Sequence, residues 1–116
     1  MNQAEELFAR LYFPEGEYIF WKLLHSDQIR IDHHRFPSVL SEFDTGKNSI
    51  DDKPSRVVVY NFRNQVNEYS ISWSLDNVCH RSAVNGPASI EMFRDGRVRE
   101  WYYEFGKRVK KPMLKK

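Results

Sequence analysis

The stretch that most constrains this chain is Tyr69-Ser70-Ile71-Ser72-Trp73-Ser74-Leu75. Large apolar residues stand at every second position and serine fills the positions between. Side chains of a β-strand alternate between faces, so a strand gathers the four apolar groups on one side and the three serines on the other. One dry face and one wet face mark an antiparallel strand packed on a single side. Such a strand needs partners along its edges and a cover over its apolar face.

Both are present in the sequence. Arg56–Phe62 is rich in valine and reads as the preceding strand. Ala88–Phe93 follows, with Ala88, Ile90 and Met92 on one face, and Arg97–Glu104 comes after the Asp95-Gly96 turn, a strong hairpin signal. The cover is an amphipathic helix over residues 2–13, where Ala4, Leu7, Phe8, Leu11 and Tyr12 recur at helical spacing. Asn2 suits its N-cap and Glu5 stands where a capping-box acid belongs. Pro14 and Gly16 end it. With 8 Phe, 6 Tyr and 3 Trp among 116 residues, aromatic rings suffice to fill a core.

Two stretches are less regular. Tyr18–Trp21 is β-prone and Gln28–Asp32 alternates, so residues 17–35 read as a hairpin turning at Ser26-Asp27, with a helix over 15–24 as the alternative. Residues 36–55 contain Pro37, Gly46, Pro54 and several acids, which predicts a long surface loop broken by a turn of helix at Ser38–Phe43. The expected fold is a single α+β domain over 1–116. An N-terminal helix packs on a twisted antiparallel sheet that ends in a C-terminal β-hairpin repeat over 56–110 and a basic tail at 111–116.

The repeat rests on two matches. Phe62-Arg63-Asn64 corresponds to Phe93-Arg94-Asp95, and Val66-Asn67-Glu68-Tyr69 to Val98-Arg99-Glu100-Trp101, with a one-residue shift at Gly96. His80-Arg81, Asn85-Gly86-Pro87-Ala88, Asp95–Tyr103 and Gly106-Lys107 together resemble the "HRxDGPA…NGK" β-hairpin repeats of the MORN-variant type, over about residues 57–110. Those repeats occur in phage, giant-virus and bacterial antitoxin-like proteins. The resemblance implies a non-enzymatic interaction role and puts His80 and Arg81 in a structural turn. Val109-Lys110 stands where a second His-Arg would, which ends the array.

Charge and cysteine content bound the function. Residues 1–87 hold 9 Lys/Arg and 12 Asp/Glu, a net of −3, whereas residues 88–116 hold 9 and 4, a net of +5. Such asymmetry points to an acidic protein surface or a nucleic acid as partner of the C-terminal end. The single Cys79 excludes an intrachain disulfide and a multi-cysteine zinc site, and fits a reducing cytoplasm, the host's if the chain is phage-encoded. No apolar run is long enough to span a bilayer, and no leader-like segment opens the chain, so no membrane partner is expected.

Catalytic and metal chemistry have thin support. Asp32-His33-His34 with His25 is the one metal-like cluster; adjacent strand residues diverge, so His33 and His34 do not easily share one ion, while Asp32 and His34 could. Cys79-His80 diverge for the same reason, and no phosphate loop or nucleophile elbow occurs. A small ribonuclease built on His80, Arg97, Arg99 and Glu100 is an alternative. The expectation is a non-enzyme without cofactor or metal that binds a protein, with nucleic acid as the second choice and a homodimer through an exposed edge strand as a further option. The candidate partner-binding residues are Arg94, Arg97, Arg99, Trp101, Tyr103, Lys107 and Arg108, since arginine and aromatic residues anchor interfaces and stack on bases. Arg97, Arg99, Trp101 and Tyr103 are expected on one strand face.

Overall fold

Asn2 starts the fold by doing two jobs. Its Oδ1 accepts the Glu5 N–H at 2.8 Å and caps the first helix, while its Nδ2 donates to the carbonyls of Asp32 and Glu42. The helix is thereby fixed to the sheet at its first residue. The computed structural model describes residues 2–36, 38–62 and 65–113. Pro37, Arg63 and Asn64 of the first repeat match, and Lys115 and Lys116 of the basic tail lie outside the described residues.

Two helices come first, α1 (Gln3–Tyr12) and α2 (Glu17–Leu24). A six-stranded antiparallel sheet follows, in the order β1 (Arg30–Phe36), β2 (Val39–Asp44), β3 (Arg56–Phe62), β4 (Gln65–Ser72), β7 (Ser89–Met92), β8 (Val98–Trp101). Two short hairpins lie outside it: β5 (Ser74–Leu75) with β6 (Val78–Cys79), and β9 (Tyr103–Glu104) with β10 (Lys107–Arg108). The expected α+β architecture, with its N-terminal helix on an antiparallel sheet and hairpins at the C-terminal end, is what the structure has.

Three expectations are corrected. The strand expected over Tyr69–Leu75 breaks at Trp73: β4 ends at Ser72, and Ser74-Leu75 pairs with Val78-Cys79 outside the main sheet. Residues 17–24 form a helix rather than the first arm of a hairpin, because Tyr18 and Trp21 must share a face to reach the core. Residues 36–55 are not one long loop: Val39–Asp44 is a buried inner strand where a helical turn was expected. Its polar residues hid it. Ser41 lies on the core side, where its hydroxyl accepts the Ala4 N–H at 3.0 Å, and the buried Glu42 carboxylate accepts from Arg56 at 2.7 Å.

The core lies between the helices and the β2–β4 part of the sheet. Register aligns Phe43, Val57, Ile71 and Ile90 in one row across it. Phe8 is fully buried, stacks on Phe43 at 4.1 Å between centroids, and also meets Tyr12, Phe13, Tyr18 and Trp21. Glu5 does not serve as a capping-box acid. Its buried carboxylate turns to α2 and accepts from the Tyr18 hydroxyl at 2.8 Å and Lys22 Nζ at 2.6 Å, locking the two helices together.

The helices cover little of the sheet beyond β3. The C-terminal half is held differently, by three two-residue turns in the left-handed region at Asp51-Asp52, Asp76-Asn77 and Phe105-Gly106. The loop leading into the first bonds to the second: Ser49 N–H donates to Ser74 O, Asn77 N–H to Lys47 O, and Asp76 N–H to Asn48 Oδ1. The second bonds to the third: Gly106 N–H donates to Cys79 O, Arg81 N–H to Tyr103 O, and Phe105 N–H to His80 Nδ1 at 2.8 Å.

Arg81 pins this stack. Its guanidinium donates through Nε and Nη2 to the Asp52 carboxylate, both at 3.1 Å, and through Nη1 to Pro87 O, and lies 4.0 Å over the buried Trp73 ring. Trp73 Nε1 donates to Asp52 O in turn. Gly86, at φ +139°, passes so close that an added Cβ would sit 2.6 Å from Arg81 Nη1. The physical content of the His-Arg…Gly-Pro-Ala pattern is therefore one side chain clamped between a ring, a carboxylate and a side-chain-free backbone.

Three outcomes follow from this packing. Phe8→Ala should cost about 3–5 kcal/mol in denaturant unfolding, enough to unfold a marginal domain. Arg81→Lys keeps the charge and loses the planar fork, so it should cost about 2–3 kcal/mol, and pairing it with Gly86→Ala in a double-mutant cycle should give less than the sum. Burial pushes the Tyr12 phenol up to about 12, against a smaller downward pull from Arg81. Burial, then the hydrogen bond and charge of Glu5, raise Tyr18 as well. Both hold their protons in the folded state above pH 10, where the unfolded chain releases them. Their stabilisation is complete below about pH 10 and lost as pH rises, by up to about 1.4 kcal/mol per pH unit for each tyrosine. Tyr12→Phe should about halve that slope between pH 10 and 12.

Candidate binding face at the free edge of the sheet

Among the described residues β8 is the last strand of the sheet and its ladder is with β7. Just past its end the Val109 N–H donates to Tyr102 O, so residues 108–111 line the Glu100–Tyr102 part of the edge and the Val98 part stays open. The Phe93 N–H donates to Arg97 O, so residues 97, 99 and 101 turn their backbone groups to β7 while Val98 and Glu100 direct theirs outward. The side chains alternate as well. Val98 and Glu100 lie on the helix side of the sheet, in rows with Tyr69 and Met92 and with Ile71 and Ile90 respectively. Arg99 and Trp101 lie on the open side, in rows with Ser70 and Glu91 and with Ser72 and Ser89.

On that open side Arg97 and Arg99 stand over one ring, Phe93, at 5.0 and 5.3 Å. The Asp95-Gly96 turn sets this up. Arg97 N–H and Nε both bond to the Asp95 carboxylate, at 3.0 and 2.7 Å, and these bonds hold Asp95 below the usual carboxylate range. Arg94 projects from the same turn beside a cleft of about 430 Å³ formed with Glu68, Phe93, Asp95 and Arg97.

Tyr103 does not join this face. The strand breaks at Tyr102, and Tyr103 starts β9, where it pairs with Arg108 as Glu104 pairs with Lys107. The seven expected residues thus form two groups: Arg94 and Arg97 at the β7–β8 turn with Arg99 and Trp101 on β8, and Tyr103, Lys107 and Arg108 on the small hairpin. Trp101 and Arg108 meet again at a second cleft of about 610 Å³, whose other walls are Glu100, Tyr102, Val109, Lys110 and Lys111. Phe93 escaped the sequence reading. Its position two residues before a two-residue turn, with arginines following, is the signal that would have found it.

The residues of the catalytic alternatives are dispersed. Glu100 faces away from Arg97 and Arg99, and His80 is engaged by the Phe105 N–H and ring. Burial pushes the Cys79 thiol up, away from the thiolate, with Sγ against Ala88 O at 3.7 Å. Asp32 and His33 lie on β1, and the side chain of His34 is outside the described residues. Among the described residues no three His, Cys, Asp or Glu side chains are grouped to hold a metal ion, and no helix is long and apolar enough to cross a membrane. Compared with family models, curated proteins and solved structures, the chain matches none.

Proposed function

We propose that this chain is a non-enzymatic protein-binding module whose binding face is the β8 edge, and that it inhibits or modulates a host protein as an accessory factor of a phage or mobile element. The pairing of Arg97 and Arg99 over Phe93 beside Trp101, on an uncovered face at a free sheet edge, carries the reading. Arginine and tryptophan are the residue types that dominate interface energetics, and stacking on a ring holds the guanidinium groups in place before a partner arrives. The outward backbone groups of Val98, on the open part of the edge, suit addition of a partner strand. The phage and host assignment rests on the sequence resemblance alone.

A second reading is nucleic-acid binding, favoured by the cleft that combines Trp101 and Tyr102 with Arg108, Lys110 and Lys111. Basic groups tracking a backbone beside rings for bases suit a single strand. One pair of measurements separates the two readings. Capture from bacterial lysate with the intact chain should return a stoichiometric protein complex that survives moderate salt, and that a chain carrying Arg99→Ala and Trp101→Ala loses by 100-fold or more in affinity, about 3 kcal/mol. Retention by this variant removes the proposed face. Binding instead to single-stranded nucleic acid, weakening steeply with salt as counterions are released, supports the second reading.

A further inference from the structure

Helix α2 is apolar around most of its circumference, yet only one side of it is covered. Tyr18 and Trp21 face the core, while Ile19, Phe20, Leu23 and Leu24 are 61%, 75%, 70% and 77% exposed. A helix apolar all round is normally buried all round. At about 180–200 Å² for each fully exposed residue, these four leave roughly 550 Å² of mostly apolar surface, at the upper end of the largest patch on an ordinary monomer.

We propose that this face is a homodimer interface, α2 packing antiparallel on α2 of a second copy. The spacing of the four residues is self-complementary. Reversed about the point between Trp21 and Lys22, Ile19 falls on Leu24 and Phe20 on Leu23, as an isologous two-fold contact requires. Complete burial of these residues in two copies would remove at most roughly 1,100 Å², just under the ~1,200 Å² at which stable specific interfaces begin, so flanking contacts supply the rest. The antiparallel arrangement also opposes the two helix dipoles, N-terminus beside C-terminus, a gain that Glu17 reduces by setting an acid near the C-terminal end of its mate. A lipid surface fits the patch less well. Lys22 is the only basic residue on the helix and is spent on Glu5, while Glu15, Glu17 and Asp27 flank it. The interface uses the helix layer, so it is separate from the open face of β8 and from the function proposed there.

The test is sedimentation equilibrium of the full chain from about 1 to 200 μM, with Phe20→Glu, Leu24→Glu and, at the β8 edge, Val98→Glu. The wild-type chain should sediment at twice its 13.9 kDa mass. Phe20→Glu and Leu24→Glu should each weaken association at least 100-fold, and Val98→Glu should leave it unchanged. Because both α2 side chains are exposed within one copy, the variants should keep wild-type circular dichroism and buried-Trp21 fluorescence, so lost association is not lost folding. A wild-type monomer throughout this range overturns the proposal. So does a dimer that only Val98→Glu disrupts, which is edge-strand pairing, or a monomer that binds phosphatidylserine vesicles through Phe20.

Discussion

The fully buried ring of Phe8 is the contact on which the helix layer depends. It stacks on Phe43 of the sheet and touches rings from both helices and from the segment joining them. An aromatic at this point can bury its whole surface against five others, and offset and tilted geometries add to the plain effect of burial. Glu5, one turn earlier, adds the polar counterpart by taking Tyr18 and Lys22 on one carboxylate oxygen. Together they explain why two short helices, each too short to be stable alone in water, hold their shape.

The far half of the molecule follows a different physical logic. Past β4 there is no helix layer, and the chain relies on backbone bonds between successive left-handed turns with Arg81 riveted between Trp73 and Asp52. Phe105 adopts positive φ, a conformation that bulky residues rarely take, and its ring and N–H are both held by His80. These bonds are what orient β8 and the arginines on its open face. The candidate edge is thus supported mainly by directional polar contacts.

Legibility in the sequence tracked this division. Alternation at residues 69–72, valines at 57–59 and the Asp95-Gly96 turn could be read because local pattern and tertiary role agree, whereas the break at Trp73 that sends Ser74-Leu75 into a separate hairpin could not. Val39–Asp44 could not, since the partners that make Ser41 and Glu42 tolerable inside, Ala4 and Arg56, are remote in sequence. Helix α2 was obscured because Tyr-Ile-Phe-Trp favours strands by composition, and only the position of the α1 aromatics decides the matter. At the candidate face, alternation correctly grouped Arg99 with Trp101. It failed at Tyr103 because period-2 reasoning assumes an unbroken strand, and the chain turns out of the sheet at Tyr102.

The one-sided cover also makes the sheet an uneven mechanical object. β8 is fastened by four residue pairs to β7, and β7 by four to β4, while the main helix contacts of the described residues fall on β2 and β3. A pull across the strands at the β8 edge opens those ladders pair by pair, as a zipper opens, whereas a pull along the strands loads all the pairs at once. Either way the load reaches the aromatic core through β7, whose Ile90 packs against it. The outer strands act as a compliant flange on a stiff hub, able to give locally under a tugging partner while the hub stays folded.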